Sequence, residues 1–277
     1  MIQYLEIRIE SQNEDFYSIL SAELSELGYE SFVEEEDALL AYVDQKLFEA
    51  KDLENLQLKY QPEFSFFYKK KAVENKNWNK EWEESYQPLI LDSNWIVRAT
   101  FHKPNPGIKN EIIINPEMAF GTGHHATTES MMRLISAHDW KDKQVADLGC
   151  GTAILGIMAS KLGAKSVLAI DNDENAVRAS IKNGELNDIT NMVVKEGTVK
   201  IIDNGSFYGI FANITRNILL EEIPIYSNLL ETDGILLLSG FYMEDLSKVE
   251  AKANQHNLKL INKLDTNNWA AAQFIKH

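Results

Sequence analysis

The sequence predicts an α/β protein in two parts: a small α+β domain in front of a larger parallel sheet covered by helices. Three observations predict this. Over residues 5–68 the apolar patterns follow the order strand, helix, strand, strand, helix, strand. From about Ile90 onward, strand-like and helix-like stretches alternate, which is the pattern of a parallel sheet with helices on both faces. Between them, from about Lys71 to Pro88, the composition shifts to Asn, Lys and Glu with two tryptophans, marking a connector. At 277 residues the chain is long enough for one large domain and one small one.

Each element has its own warrant. Leu5-Glu6-Ile7-Arg8-Ile9-Glu10 alternates apolar and charged residues, as a half-buried strand does. Asn13 stands where it caps a helix whose apolar positions are Phe16, Leu20, Leu24 and Leu27, ending at Gly28. Tyr29–Val33 and Ala38–Val43 read as strands joined by the acidic turn Glu34-Glu35-Glu36-Asp37. A weaker helix is expected from Gln45 to Asn55, and a last strand from Phe64 to Tyr68. The order β-α-β-β-α-β is the ferredoxin-like pattern, which hosts many unrelated functions. Trp78 and Trp82, four apart, share one face of a connector helix and dock it against a domain. Behind it, Gln144–Leu148, Ser166–Ile170, Tyr208–Ala212 and Gly234–Leu238 are strand-like. Helix-like stretches lie between them at Ile154–Leu162, Glu174–Leu186 and Ile218–Leu230. The expected domains are therefore residues 1–72, a linker helix region at 73–92, and residues 93–277.

Composition narrows the function classes. With 44% hydrophobic and 25% charged residues the chain has the make-up of a globular protein. Its apolar runs, such as Ile235-Leu236-Leu237-Leu238, fall far short of the roughly 20 residues that span a bilayer. Glu6, Arg8 and Glu10 interrupt any leader-like apolar stretch, so a cytoplasmic protein without membrane partners is expected. One cysteine makes no internal disulfide, and no zinc-ligand spacing is present. The net charge is −15, and residues 1–74 hold 17 acids against 7 Lys and Arg, a local −10. Such a front repels phosphate backbones, which disfavours nucleic acid, and attracts a basic partner. Acidic surfaces also serve solubility.

The chemistry concentrates where Val145-Ala146-Asp147-Leu148 runs into Gly149-Cys150-Gly151-Thr152 and the helix-like stretch from Ile154. Glycines there let the backbone bend and approach a ligand beyond the carboxyl ends of the strands. A dinucleotide fingerprint needs Gly or Ala five residues after its first Gly, where this chain has Ile154. A phosphate-binding loop needs a Gly-Lys-Ser/Thr that is absent here. Asp147, two residues before Gly149, would repel a pyrophosphate and suits a cationic ligand carrying an amine. Ser166–Ile170 then ends in Asp171, 22 residues after Gly149, placed to accept hydrogen bonds from two vicinal ribose hydroxyls. Asp173 is the better helix cap and Asp171 the better ligand.

Together these features resemble the S-adenosylmethionine-binding methyltransferases, whose class I members carry a Rossmann-like sheet. Two further blocks narrow the resemblance. Upstream stands Asn115-Pro116-Glu117-Met118-Ala119-Phe120-Gly121-Thr122-Gly123-His124-His125-Ala126-Thr127-Thr128, and a later strand ends in Phe211-Ala212-Asn213-Ile214-Thr215. With the front domain and the tryptophan connector, they resemble the bacterial ribosomal protein L-eleven methyltransferases (PrmA) along essentially the whole chain. The resemblance implies a segment like Ala119–Gly123 lying over the cofactor and an Ala-Asn-Ile segment ending the fourth strand.

Carried over, it implies cofactor contacts from Thr128, Gly149, Asp171 and Asn213, alongside Asp147 and Gly151. Phe120 lies against the sulfonium or the adenine, or simply packs. Asn213 is also the group expected to orient the substrate amine. Departures from the family's pattern are Ala153 at a position often glycine, Ala126 for a usual proline, and Asn115 where Asp is common. The adjacent His124 and His125 lack a His-Glu-x-x-His pattern, so no metal is expected. An adenine-amine methyltransferase of nucleic acid would carry Asn/Asp-Pro-Pro-aromatic, whereas Asn213 precedes Ile214 and Thr215. The implied activity is methylation of lysine side chains and the N-terminal α-amine of ribosomal protein L-eleven, with the front domain recognising that substrate. A methyltransferase of the same fold acting on another protein or a small molecule is the alternative reading. A fold kept only as a binding module is a third.

Overall fold

The computed structural model describes residues 3–11, 16–35, 37–61, 64–73, 86–116 and 125–277. The expected cap Asn13, the connector tryptophans Trp78 and Trp82, Phe120 and His124 lie outside the described residues. The chain divides into two compact units, residues 1–85 and 86–277, and the division falls inside the 73–92 span.

In the first unit the strands are β1 (Tyr4–Ser11), β2 (Tyr29–Glu35), β3 (Ala38–Asp44) and β4 (Phe66–Ala72). The helices are α1 (Phe16–Glu26) and α2 (Ala50–Tyr60). The strands pair antiparallel in the order β2-β3-β1-β4, which is the ferredoxin-like sheet. The alternation of β1 decides its faces: Leu5, Ile7 and Ile9 are buried with Leu20 and Leu24 of α1 and Leu53 of α2, while Glu6, Arg8 and Glu10 point away. The second helix and the last strand both run later than expected, ending at Tyr60 and Ala72. α2 starts five residues later than Gln45 because Asp44 closes a turn first, taking the amides of Lys46 on its side chain and Leu47 on its carbonyl. β4 starts at Phe66 because the Phe64 amide is tied to the Tyr60 carbonyl and its ring stacks on Phe16 at 4.5 Å.

The second unit holds a short sheet of β5 (Leu89–Ile90), β6 (Trp95–Ala99) and β7 (Asn110–Ile114). Residues 89–90, inside the expected linker helix region, are thus a strand. Its main sheet comprises β8 (Gln144–Leu148), β9 (Ser166–Asp171), β10 (Met192–Glu196), β11 (Phe207–Asn213), β12 (Leu230–Tyr242), β13 (Leu258–Thr266) and β14 (Trp269–Lys276). The helices are α3 (Ala126–Ser136), α4 (Ile154–Lys161), α5 (Glu174–Leu186), α6 (Arg216–Leu229) and α7 (Leu246–Asn254). The strand order is β10-β9-β8-β11-β12-β14-β13, with β14 antiparallel to both neighbours and the other pairs parallel. This is the Rossmann-like sheet of class I methyltransferases. Two apolar clusters cover its faces, one with Met131, Trp140, Ile157 and Phe211, the other with Leu219, Tyr226, Leu238 and Phe274. The order reverses between β8 and β11, so the crevice for a ligand opens beyond their carboxyl ends. No helix of the described residues is long and apolar enough to cross a membrane.

Candidate active site

The glycine turn after β8 is strapped to β9. The amides of Gly149 and Cys150 both donate to the Ile170 carbonyl, at 2.8 and 3.0 Å. Gly149 has a φ of +69°, and a Cβ there would come within 2.3 Å of the Ile214 Cγ2. Backbone is therefore all that fits between the turn and the segment after β11. Gly151 donates its amide to the Asp171 Oδ2 at 2.8 Å. Asp171 also accepts the Asp173 amide on Oδ1 at 3.0 Å, while Asp173 caps α5 by accepting from Asn175. A carboxylate oxygen accepts two hydrogen bonds, so each oxygen of Asp171 keeps capacity for a ligand hydroxyl.

Asp147 sits elsewhere. It is 1% exposed, and its Oδ2 accepts the Gly156 amide of α4 at 2.9 Å. Burial pushes its carboxyl up to about 7, against the lowering effect of that hydrogen bond, and the charge of Asp171 adds to the rise. The residue predicted to face a cationic ligand is a strut under the turn, joining β8 to α4. Ala153 carries the strain of the same turn, with a φ of +58° in a non-glycine residue at the start of α4.

Asn213 ends β11 beside Thr128 of α3. Its Nδ2 donates to the Thr128 Oγ1 at 3.3 Å, whereas its Oδ1 is buried with no hydrogen-bond partner among the described residues. A buried acceptor left empty is costly unless a ligand fills it. Two hollows open on this side of the sheet, and Asn213 lines the second. One is lined by Gly149, Asp171, Asn172, Thr198, Ile218 and Glu222. The other, of about 430 Å³, is lined by His125, Thr127, Asn213, Gly240 and Trp269. Ile214 and Ile218 belong to both walls. A long ligand with a ribose at one end therefore reaches the wall at Asn213 with the other, and the Asp171 oxygens, with the turn backbone at Gly149 beside them, fit S-adenosylmethionine.

Some participants were not read from the sequence. His125 caps α3 by accepting the Thr127 amide at 3.3 Å, and its ring meets Trp269 edge-on at 4.9 Å. Among the described residues no group of three His, Cys, Asp or Glu is placed to hold a metal ion. Trp269 follows the Asn267-Asn268 turn, both residues at positive φ, a hairpin signal legible in the sequence. Gly240, with a φ of +94°, lets the Ile214 carbonyl come to 2.2 Å of where a Cβ would stand. Buried Asn183 of α5 binds the Thr152 carbonyl through Nδ2 and the Asn115 amide through Oδ1, at 3.1 and 2.9 Å. It fastens the glycine turn to the root of the 117–124 segment, and no local pattern announces so distant a contact.

Comparison with known proteins identifies a family. The family model for ribosomal protein L11 methyltransferase (PrmA) matches residues 4–277. A ribosomal protein L11 methyltransferase of Phocaeicola vulgatus is 40% identical over 279 residues, covering 99% of each chain. One of Porphyromonas gingivalis is 42% identical, covering 94% of this chain and 91% of its own. A solved structure of a ribosomal protein L11 methylase from Lactobacillus delbrueckii subsp. bulgaricus matches with a TM-score of 0.64 at 31% identity, covering 69% of this chain and all of that one. With a class I sheet, a glycine turn and an acid at the end of the next strand, the chain belongs to the ribosomal protein L11 methyltransferase (PrmA) family of S-adenosylmethionine-dependent enzymes.

Proposed function

We propose that this protein methylates amines of ribosomal protein L11, on lysine side chains and the N-terminal α-amine, in the cytoplasm. The observation that carries the chemistry is the Asn213 side chain. Its nitrogen is anchored on Thr128 and its oxygen is a buried acceptor with no partner among the described residues, on the wall of the larger hollow. An amine N–H is the donor such an oxygen takes. Asp171 accepts the ribose hydroxyls, the backbone at Gly149 and Gly151 lies along the cofactor, Thr128 offers its hydroxyl, and Asp147 holds the turn from beneath. Phe120, expected at the cofactor, lies outside the described residues.

When bound, the cofactor supplies a methyl group on a positively charged sulfur. The protein's part is alignment and exclusion of water. The hollow's apolar walls at Ile214, Ile218 and Trp269 favour the neutral form of an entering amine by desolvation, so its lone pair is free to attack. The cofactor would give up its methyl carbon to the amine nitrogen and keep the bonding pair on sulfur, and the ammonium so formed would lose its surplus proton to water. No strong base is required of the chain.

The acidic first unit supports a basic macromolecular substrate, since opposite fields speed encounter and fix orientation. The same charge disfavours direct nucleic-acid binding. Labelled methyl transfer to purified L11, followed by mass mapping, tests the proposal. Label appearing instead in another protein or a small molecule would favour the alternative substrate of the same fold.

A further inference from the structure

The hollow that holds Asp171 has a second carboxylate in it. Glu222 of α6 stands one helical turn beyond Ile218, and both line the hollow with Asp171 and Thr198. Glu222 is only 9% exposed, and its Oε2 accepts the hydroxyl proton of Tyr226, which is fully buried. Burial, and then the bond to Glu222, raises the Tyr226 hydroxyl far above its ordinary value, so it stays a donor. Tyr226 thus fixes the carboxylate and occupies one of its two oxygens.

The neighbouring wall is apolar, with Leu148, Val199, Ile214 and Ile218. A carboxylate in such a wall costs free energy unless donors satisfy it. The hollow therefore presents two acceptors: Asp171 for a vicinal diol and Glu222 for a donor farther along. A ribonucleoside with an exocyclic amine on its base carries both donors in one molecule.

We infer that Glu222, positioned by Tyr226, reads the exocyclic amine of the cofactor's adenine and makes the site selective for it. The inference rests on the assignment of Asp171 to the ribose, and the two are separable. A site built to hydrogen-bond an amine rejects the analogue that lacks it, because its buried acceptor is then left empty.

The test uses the full chain and calorimetric affinities for S-adenosylhomocysteine, for its purine counterpart with hydrogen in place of the amine, and for its 6-oxo counterpart. The intact protein prefers the amine-bearing ligand over the hydrogen analogue by about tenfold or more. In Glu222→Leu that ratio falls to about one. In Glu222→Gln, Tyr226 still donates to the side-chain oxygen and the amide NH2 faces the base, so the 6-oxo ligand gains on the amine-bearing one. Each ratio is taken within one preparation, so loss of folded protein shows in the stoichiometry and cancels in the ratio. Asp171→Ala weakens all three ligands alike; unchanged affinity there removes the ribose assignment and leaves the Glu222 ratio to stand or fall separately. An intact protein that does not discriminate, or variants that keep its ratio, overturns the inference.

Discussion

The side-chain nitrogen of Asn213 lies 3.3 Å from the hydroxyl oxygen of Thr128, although 85 residues separate them in sequence. The bond fixes the Asn213 amide nitrogen on Thr128, and its oxygen is the acceptor proposed for the substrate amine. Thr128→Val keeps the shape and removes the acceptor, so the methyl-transfer rate falls by roughly ten- to a hundredfold, about the worth of one or two hydrogen bonds. Asn213→Ala has a larger effect. The double variant is no slower than Asn213→Ala alone by more than a few fold, because Thr128 acts on the amine through Asn213. Single-turnover rates check this, and fully additive losses would separate the two residues.

Asp147 predicts a pH dependence with an unusual sign. Its folded carboxyl is pushed up to about 7 by burial, whereas in the unfolded chain it ionises near 4. Between those values the unfolded state holds fewer protons, so this residue's contribution to stability falls as pH rises and levels off above about 7. Asp147→Asn keeps an oxygen for the Gly156 amide without the buried charge. Relative to the intact protein, it gains roughly 2–4 kcal/mol between pH 4 and 8. Urea midpoints of both proteins across that range measure it, and parallel curves would mean the carboxyl ionises normally.

Cys150 sits in the middle of the glycine turn, and its surroundings disfavour a thiolate. It is 6% exposed, its sulfur lies 3.3 Å from the Ser180 hydroxyl, and burial pushes the thiol well above its ordinary value. Cys150→Ala retains methyl transfer within a few fold and loses about 1 kcal/mol of stability at most, the worth of one buried small group. Slow alkylation of the folded protein by iodoacetamide is the companion observation. Abolished activity in a folded variant would expose a catalytic thiol.

The second unit has its own apolar clusters, entirely within residues 86–277. A fragment beginning at Tyr86 therefore binds S-adenosylhomocysteine but methylates intact L11 far more slowly than the full chain. The full chain's encounter with L11 slows with salt, since exposed charges are screened over about 10 Å at 0.1 M. A fragment as fast as the full chain would remove recognition from the first unit.

What the sequence made legible follows from the range of the interactions. Alternation along Leu5–Glu10 and the apolar periods of residues 154–186 act within a few residues, and those elements stand where they were expected. Asp171 and Asp173 divide into acid and cap because capping is local. Asp44 and Phe64 moved two boundaries through contacts that propensity does not register, a side-chain turn and a ring stacked on Phe16. Asp147 shows a different gap: sequence located the charge, and only the fold showed it turned toward Gly156. Asn183 binds Thr152 and Asn115, and Glu222 lines one hollow with Asp171, across distances that no window spans, so α5 and α6 were expected without these placements.

The central claim is a methyl transfer to L11 organised around Asn213. Incubating purified L11 with the full chain and isotopically labelled S-adenosylmethionine, then mapping peptides by mass, tests it most directly. Label is expected on lysine side chains and the N-terminal α-amine, greatly reduced in Asn213→Ala at unchanged S-adenosylhomocysteine stoichiometry. Unlabelled L11 with a protein that binds the cofactor normally would contradict it.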